Sequence, residues 1–103
     1  MKKDTYKTDV IFRVLTIGDI TEVTALFPHD VETPEGHISC YAHVGQHGSA
    51  DYRYCVSKSR LATKEEYRDL KNELENAVGY NLNIVQKQNR TKYLKSYYET
   101  RKR

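Results

Sequence analysis

The chain has 103 residues, 38% of them hydrophobic and 30% charged, with a formal net charge of +3. That length supports one modest core and excludes two, and Val, Ile, Leu and Tyr are too abundant for a wholly disordered chain. No run approaches the roughly 18 apolar residues that would span a bilayer, the N-terminal MKKDTYKTD lacks the apolar centre of an export signal, and two cysteines are too few for a disulfide framework, so a cytoplasmic protein with reduced thiols and no membrane partner is expected.

From Thr8 the run TDVIFRVLTI is rich in β-branched and aromatic residues. Alternation places Val10, Phe12 and Val14 on one face of a strand and Ile11, Arg13 and Leu15 on the other. Gly18-Asp19 marks a turn, and ITEVTALF resumes strand composition with Val23, Ala25 and Phe27 on one face, so the two runs read as a β-hairpin. Pro28 cannot donate to a ladder and is expected to end the second strand. PHDVETPEGH, with both prolines and three acids, then reads as a loop whose carboxylates are solvated.

Residues 37–56 concentrate three of the four histidines and both cysteines. They read as a second hairpin, Ile38–Val44 against Ala50–Val56, with GQHGS as its loop. Pairing Val44 with Ala50 collects Ile38, Cys40, Ala42, Val44, Ala50, Tyr52, Tyr54 and Val56 on a core face. It leaves Tyr41 opposite Arg53 and His43 opposite Asp51 on a wet one. A slip of one residue would mix Asp51 and Arg53 into the core, and such patterns set register. In this register Cys40 and Cys55 lie on opposite faces and do not pair.

Thr63-Lys64-Glu65-Glu66 has the form of a capping box. Tyr67, Leu70, Leu74, Ala77 and Val78 follow on one helical face, and Gly79 is placed as a left-handed terminator. A helix Thr63–Val78 across one face of the sheet is expected. Tyr80, Leu82 and Ile84 alternate with polar neighbours and suggest a short fifth strand. Residues 1–86 carry 10 Lys/Arg against 13 Asp/Glu, whereas residues 87–103 carry seven against one. The basicity therefore belongs to the C-terminal segment, which interleaves its cations with tyrosines. Tyr93, Leu94, Tyr97, Tyr98 and Arg101 fall at spacings compatible with a helix, but the apolar face is thin and no tertiary anchor is evident, so a helix is expected only when something binds it.

The reactive side chains form no established catalytic spacing. His43, His47 and Asp51 recur every four residues, but Gly45 and Gly48 oppose a helix that would align them, and the hairpin reading makes His43 and Asp51 a cross-strand polar pair. Cys40, His43, His47 and Cys55 lack the paired knuckles of a structural zinc site. Phosphate loops and nucleophile elbows are absent from the sequence. A non-enzyme without cofactor or metal is expected.

The strings Ala25-Leu26-Phe27-Pro28, Tyr41-x-His43-x-Gly45-Gln46-His47-Gly48-x-Ala50-Asp51-Tyr52 and Leu61-Ala62-Thr63-x-Glu65-Glu66-Tyr67 resemble a family of small uncharacterised bacterial and phage or mobile-element proteins. The resemblance covers roughly residues 10–86, excludes the basic segment, and implies at most a small cytoplasmic accessory protein.

The expected architecture is α+β: residues 1–86 form one domain, an antiparallel sheet of four to five strands under one helix, and residues 87–103 a basic, Tyr-rich tail. The expected function is binding to nucleic acid, as a monomer or homodimer. The contacts fall on a sheet face of Tyr41, His43, His47, Asp51 and Arg53, and on Arg90, Lys92, Tyr93, Lys95, Tyr97, Tyr98, Arg101, Lys102 and Arg103 of the tail. The alternatives are an accessory protein that binds or inhibits an acidic host protein, and a metal-dependent hydrolase using His43, His47 and Asp51.

Overall fold

Strand β1 (Thr8–Ile17) is the element to which most others are tied in the computed structural model, which describes residues 7–42 and 46–102. It pairs antiparallel with β2 (Ile20–Val31) from Ile11↔Leu26 to Ile17↔Ile20, across the two-residue Gly18-Asp19 turn. Gly18 sits at φ 62°, the left-handed conformation that tight hairpin turns require. Beyond β2 lie β3 (Ile38–Ala42) and β4 (Gln46–Ala50), both antiparallel. The other edge of β1 is shared end to end by two short strands. Antiparallel β5 (Ser59–Leu61) pairs with Arg13–Leu15, and β6 (Leu82–Ile84) runs parallel to Thr8–Val10. The class is α+β, with six strands among the described residues and one parallel pairing where an all-antiparallel sheet was expected.

Pro28 does not end β2. The strand continues to Val31, and the register shifts between Phe27↔Ser39 and Val31↔Ile38. A bulge is the one place inside a sheet that tolerates a residue without an N–H, and it tilts the strand locally. The acidic loop is correspondingly shorter and closes through Glu32 N–H donating to His37 O at 2.8 Å.

The second hairpin differs from its expected form in register and extent. Ile38 faces Ala50 and Ala42 faces Gln46, so the strand partner is QHGSA rather than ADYRYCV. Residues from Tyr52 instead form a short helix, α1 (Tyr52–Ser57), whose N-cap Asp51 accepts from the amides of Arg53 and Tyr54 at 3.1 and 3.4 Å. Tyr52, Cys55 and Val56 are half-buried at helical spacing, so the segment satisfies both periods and the cap decides between them. His43, Val44 and Gly45 lie outside the described residues.

Helix α2 (Lys64–Asn72) carries the capping box as expected. Glu66 N–H donates to Thr63 Oγ1 at 3.2 Å, and Thr63 N–H to Glu66 Oε1 at 2.9 Å. Arg60 adds a bidentate pair to the same carboxylate at 2.8 and 2.7 Å, and with the Thr63 amide it holds Glu66 down at about 2. The helix then widens to a π turn (Glu73–Val78) before Gly79 ends it at φ 97°. The wider turn re-aims the last side chains. Leu70 and Leu74 are buried as expected, but Ala77 and Val78 are exposed.

The sheet is covered on both faces. One face packs Val10, Phe12, Ala25, Phe27, Tyr41 and Leu82 beneath Leu70 and Leu74. Phe12 stacks on Tyr67 at 4.5 Å and Phe27 on Tyr80 at 5.0 Å between ring centres. The other face packs Ile11, Leu26, Val31 and Ile38 beneath Tyr52 and Cys55 of α1 and Tyr93 and Tyr97 of α3 (Arg90–Arg101). Residues 90–101 are thus a helix anchored on the core, contrary to the expectation of a tail without a tertiary anchor. Tyr93 OH donates to Gly36 O at 2.9 Å. Gly36 has φ +92°, and a Cβ there would stand 2.5 Å from that hydroxyl, so glycine is required at the contact.

Candidate functional site

The bulge of β2, the connection that precedes α3 and the inner side of α3 build one polar junction. Ser96 Oγ accepts from Val31 N–H at 2.9 Å, and Thr100 Oγ1 donates to Val31 O at 3.0 Å, so two helix hydroxyls satisfy the backbone of the displaced strand. Gln88 Nε2 donates to Pro28 O at 3.1 Å. His29 lies 2.9 Å from Asp9 Oδ2 through Nδ1, and the Asn89 N–H donates to its Nε2 at 2.7 Å. A backbone amide can only donate, so Nε2 is the bare nitrogen and Nδ1 carries the proton shared with Asp9. Both ring nitrogens are occupied, which leaves none to act as a general base.

Asp9 is the hub of this junction. It accepts from Asn83 Nδ2 at 2.8 Å and from Lys92 Nζ at 3.2 Å, besides His29. Burial alone would raise its carboxyl, but the bonds from Asn83, Lys92 and His29 together hold it below its ordinary value of 3.8. Its stabilising contribution is therefore complete well above that value and is lost as pH falls through the lower folded one. Asp9→Asn should cost roughly 1–3 kcal/mol at neutral pH and flatten the acid limb of stability. Urea unfolding at several pH values checks both, and an unchanged acid limb would show that Asp9 is not the hub.

Beside the junction opens a cleft of about 600 Å³, bordered by Lys7, Asp9, Asp30, Tyr80, Lys95 and Glu99 among others. The sequence offers no spacing that unites Asp9, His29, Asn83, Asn89 and Lys92. The β2 bulge and the parallel β6 pairing bring them together, and neither leaves a periodic trace.

The expected wet sheet face does not form. Tyr41 is buried and donates its hydroxyl to the Glu73 carboxylate, while His47 sits edge-on to its ring at 4.6 Å between centres. Asp51 is a helix cap, and Arg53 is exposed on α1. His43 and Arg103 lie outside the described residues. Among the described residues no group of three or more His, Cys, Asp or Glu is arranged to hold a metal ion. Cys40 and Cys55 do not lie on opposite faces: both are half-buried against the second core cluster. Burial pushes both thiols up, each with a nearby negative group adding to it, and a protonated thiol is a poor nucleophile.

The basic segment is divided by its docking. Tyr93 and Tyr97 are spent on the core, Lys92 is paired with Asp9, and Arg101 donates to Pro34 O at 3.3 Å and lies over the Tyr97 ring. Arg90, Lys95, Tyr98 and Lys102 remain exposed. The start of α1 meets the start of α3 through the Gln88 N–H, which donates to Tyr52 OH at 2.9 Å. Two helices of one sheet face therefore present Arg53, Tyr54, Arg90, Lys95, Tyr98 and Lys102 outward. Among the described residues no helix is long and apolar enough to cross a membrane.

This arrangement defines the chain as a two-faced α+β domain with a cationic, tyrosine-bearing helical surface. Comparison with protein-family models, curated proteins and solved structures finds no match to the chain.

Proposed function

We propose that the protein is a non-enzymatic nucleic-acid-binding module that contacts its ligand with the outer surface of α1 and α3. The observation that carries this reading is the exposure of Arg53, Arg90, Lys95 and Lys102, none of which makes an ion pair among the described residues, beside Tyr54 and Tyr98, 62% and 58% exposed. Cations without internal partners can follow a phosphate backbone, and exposed rings offer bases a stacking surface. The surface differs from the one the sequence suggested, since helices replace the sheet face, Tyr93 and Tyr97 pack inward, and Lys92 and Arg101 are engaged by other parts of the chain.

Titration of fluorescent single- and double-stranded oligonucleotides over a range of salt tests it. Four phosphate contacts on duplex should weaken binding about a hundredfold between 50 and 200 mM salt. Combined Arg90→Glu, Lys95→Glu and Lys102→Glu should remove most of the affinity while leaving the melting temperature in place. Binding that ignores salt, or that survives the triple change, would sink the proposal. Capture of an acidic protein from nuclease-treated lysate, with no oligonucleotide binding, would favour the accessory-protein alternative.

A further inference from the structure

We propose that His29 and Asn89 form a proton-operated latch that holds the N-terminal end of α3 on the sheet. In the described structure the neutral imidazole accepts the Asn89 N–H at Nε2, 2.7 Å away, and donates Nδ1–H to Asp9 at 2.9 Å. Uptake of a proton at Nε2 turns that acceptor into a donor and sets two N–H groups against each other at hydrogen-bond distance. One side must move. The imidazolium is held in place by Asp9, whose carboxylate is itself fixed by Asn83 and Lys92, and by the bulge on which His29 sits. Asn89 is the freer partner, being exposed on the connection that precedes the helix.

Its displacement has a defined consequence. Asn89 Oδ1 accepts the Lys92 N–H at 3.0 Å and is the N-cap of α3, so moving it uncaps the first turn. The charged and titratable groups around the ring are Asp9 and Lys7 from the β1 end, Asp30 from β2, Tyr80 after the π turn, and Lys92, Lys95 and Glu99 from α3. Asp9 is held below the usual carboxylate range and burial raises the Tyr80 hydroxyl, so neither changes its charge when the ring takes up a proton. The latch is independent of what the outer surface of α3 binds.

Nuclear magnetic resonance on the full ¹⁵N-labelled chain tests it. Long-range ¹⁵N–¹H spectra at pH 8 should show His29 protonated at Nδ1 alone. On acidification, amide exchange at Asn89 and in the first turn of α3, corrected for its intrinsic pH dependence, should lose about tenfold protection with the midpoint of the His29 resonances, while α2 amides keep theirs. His29→Gln, which keeps a neutral donor and acceptor, should remove that pH dependence. A proton found on Nε2 at pH 8, or Asn89 protection that is indifferent to the His29 titration, overturns the latch. Both readings come from the unmodified chain, so they decide the matter even if the variant folds poorly.

Discussion

Removing residues 87–103 is expected to abolish the cooperative unfolding transition of the protein. α3 covers the face on which Ile11, Leu26, Val31 and Ile38 are 0–3% exposed, and its absence would open that face to water. The deletion also strips Val31 of both its side-chain partners, Ser96 and Thr100, and Pro28 and His29 of Gln88 and Asn89. Losing two packed tyrosines, the buried Thr100 hydrogen bond and the partly buried bonds of Ser96 and Gln88 amounts to several kcal/mol, against about 5–15 kcal/mol for a whole domain. Circular dichroism on heating should show a broad, non-cooperative change with reduced near-ultraviolet signal. A truncated chain that melts sharply at the temperature of the intact one would mean that α3 is not part of the core. The same reasoning bears on function. Truncation cannot separate binding from folding here, whereas changes at Arg90, Lys95 and Lys102 act on exposed side chains, where effects on stability stay within about 0.5 kcal/mol.

Phe27→Ala carries the largest expected effect of a single substitution. Phe27 is 1% exposed, stacks on Tyr80 and packs with Phe12, Tyr41 and Leu74 in the cluster beneath the helix. Truncation removes that burial and leaves a cavity that rigid strands on either side cannot collapse, for about 3–5 kcal/mol. A melting temperature lower by more than about 10 °C should follow in a domain of this size. Phe27→Leu, which refills most of the volume, should recover much of the loss. If both variants melt like the parent, the helix does not cover this face as described.

The two predictions probe opposite faces, and the presence of two faces is what the sequence reading underestimated. Residues 25–28 read Ala-Leu-Phe-Pro without a polar interruption, and all four are buried. Such continuous runs belong to strands covered on both sides, as does Val10-Ile11-Phe12. Strands wet on one face would leave Tyr41 free for contacts and α3 a loose arm, whereas strands dry on both faces bury the one and dock the other. α3 has an interior side made of Tyr93, Ser96, Tyr97 and Thr100, which are amphipathic or polar, so no apolar stripe announced it. Its anchors are hydroxyls that answer the backbone needs of a bulge, a complementarity visible only when both partners are in place.

Several elements were legible because their causes are local. The Gly18-Asp19 turn, the alternation through β1 and β2, the Thr63 capping box, the Leu70 and Leu74 stripe, the Gly79 terminator and the strand at Leu82 each rest on residues close together in the chain. The partner of β3 rested on two competing periods in one segment, and the Asp51 cap settled it in favour of a helix. The junction of Asp9, His29, Asn83, Asn89 and Lys92 draws on residues up to 83 positions apart, as in the bond from Lys92 to Asp9. By itself the sequence determined which stretches turn, alternate and coil, because those are properties of neighbouring residues. Only the tertiary structure decided which faces are dry and which polar groups meet, because burial and charge pairing depend on what the rest of the chain places opposite.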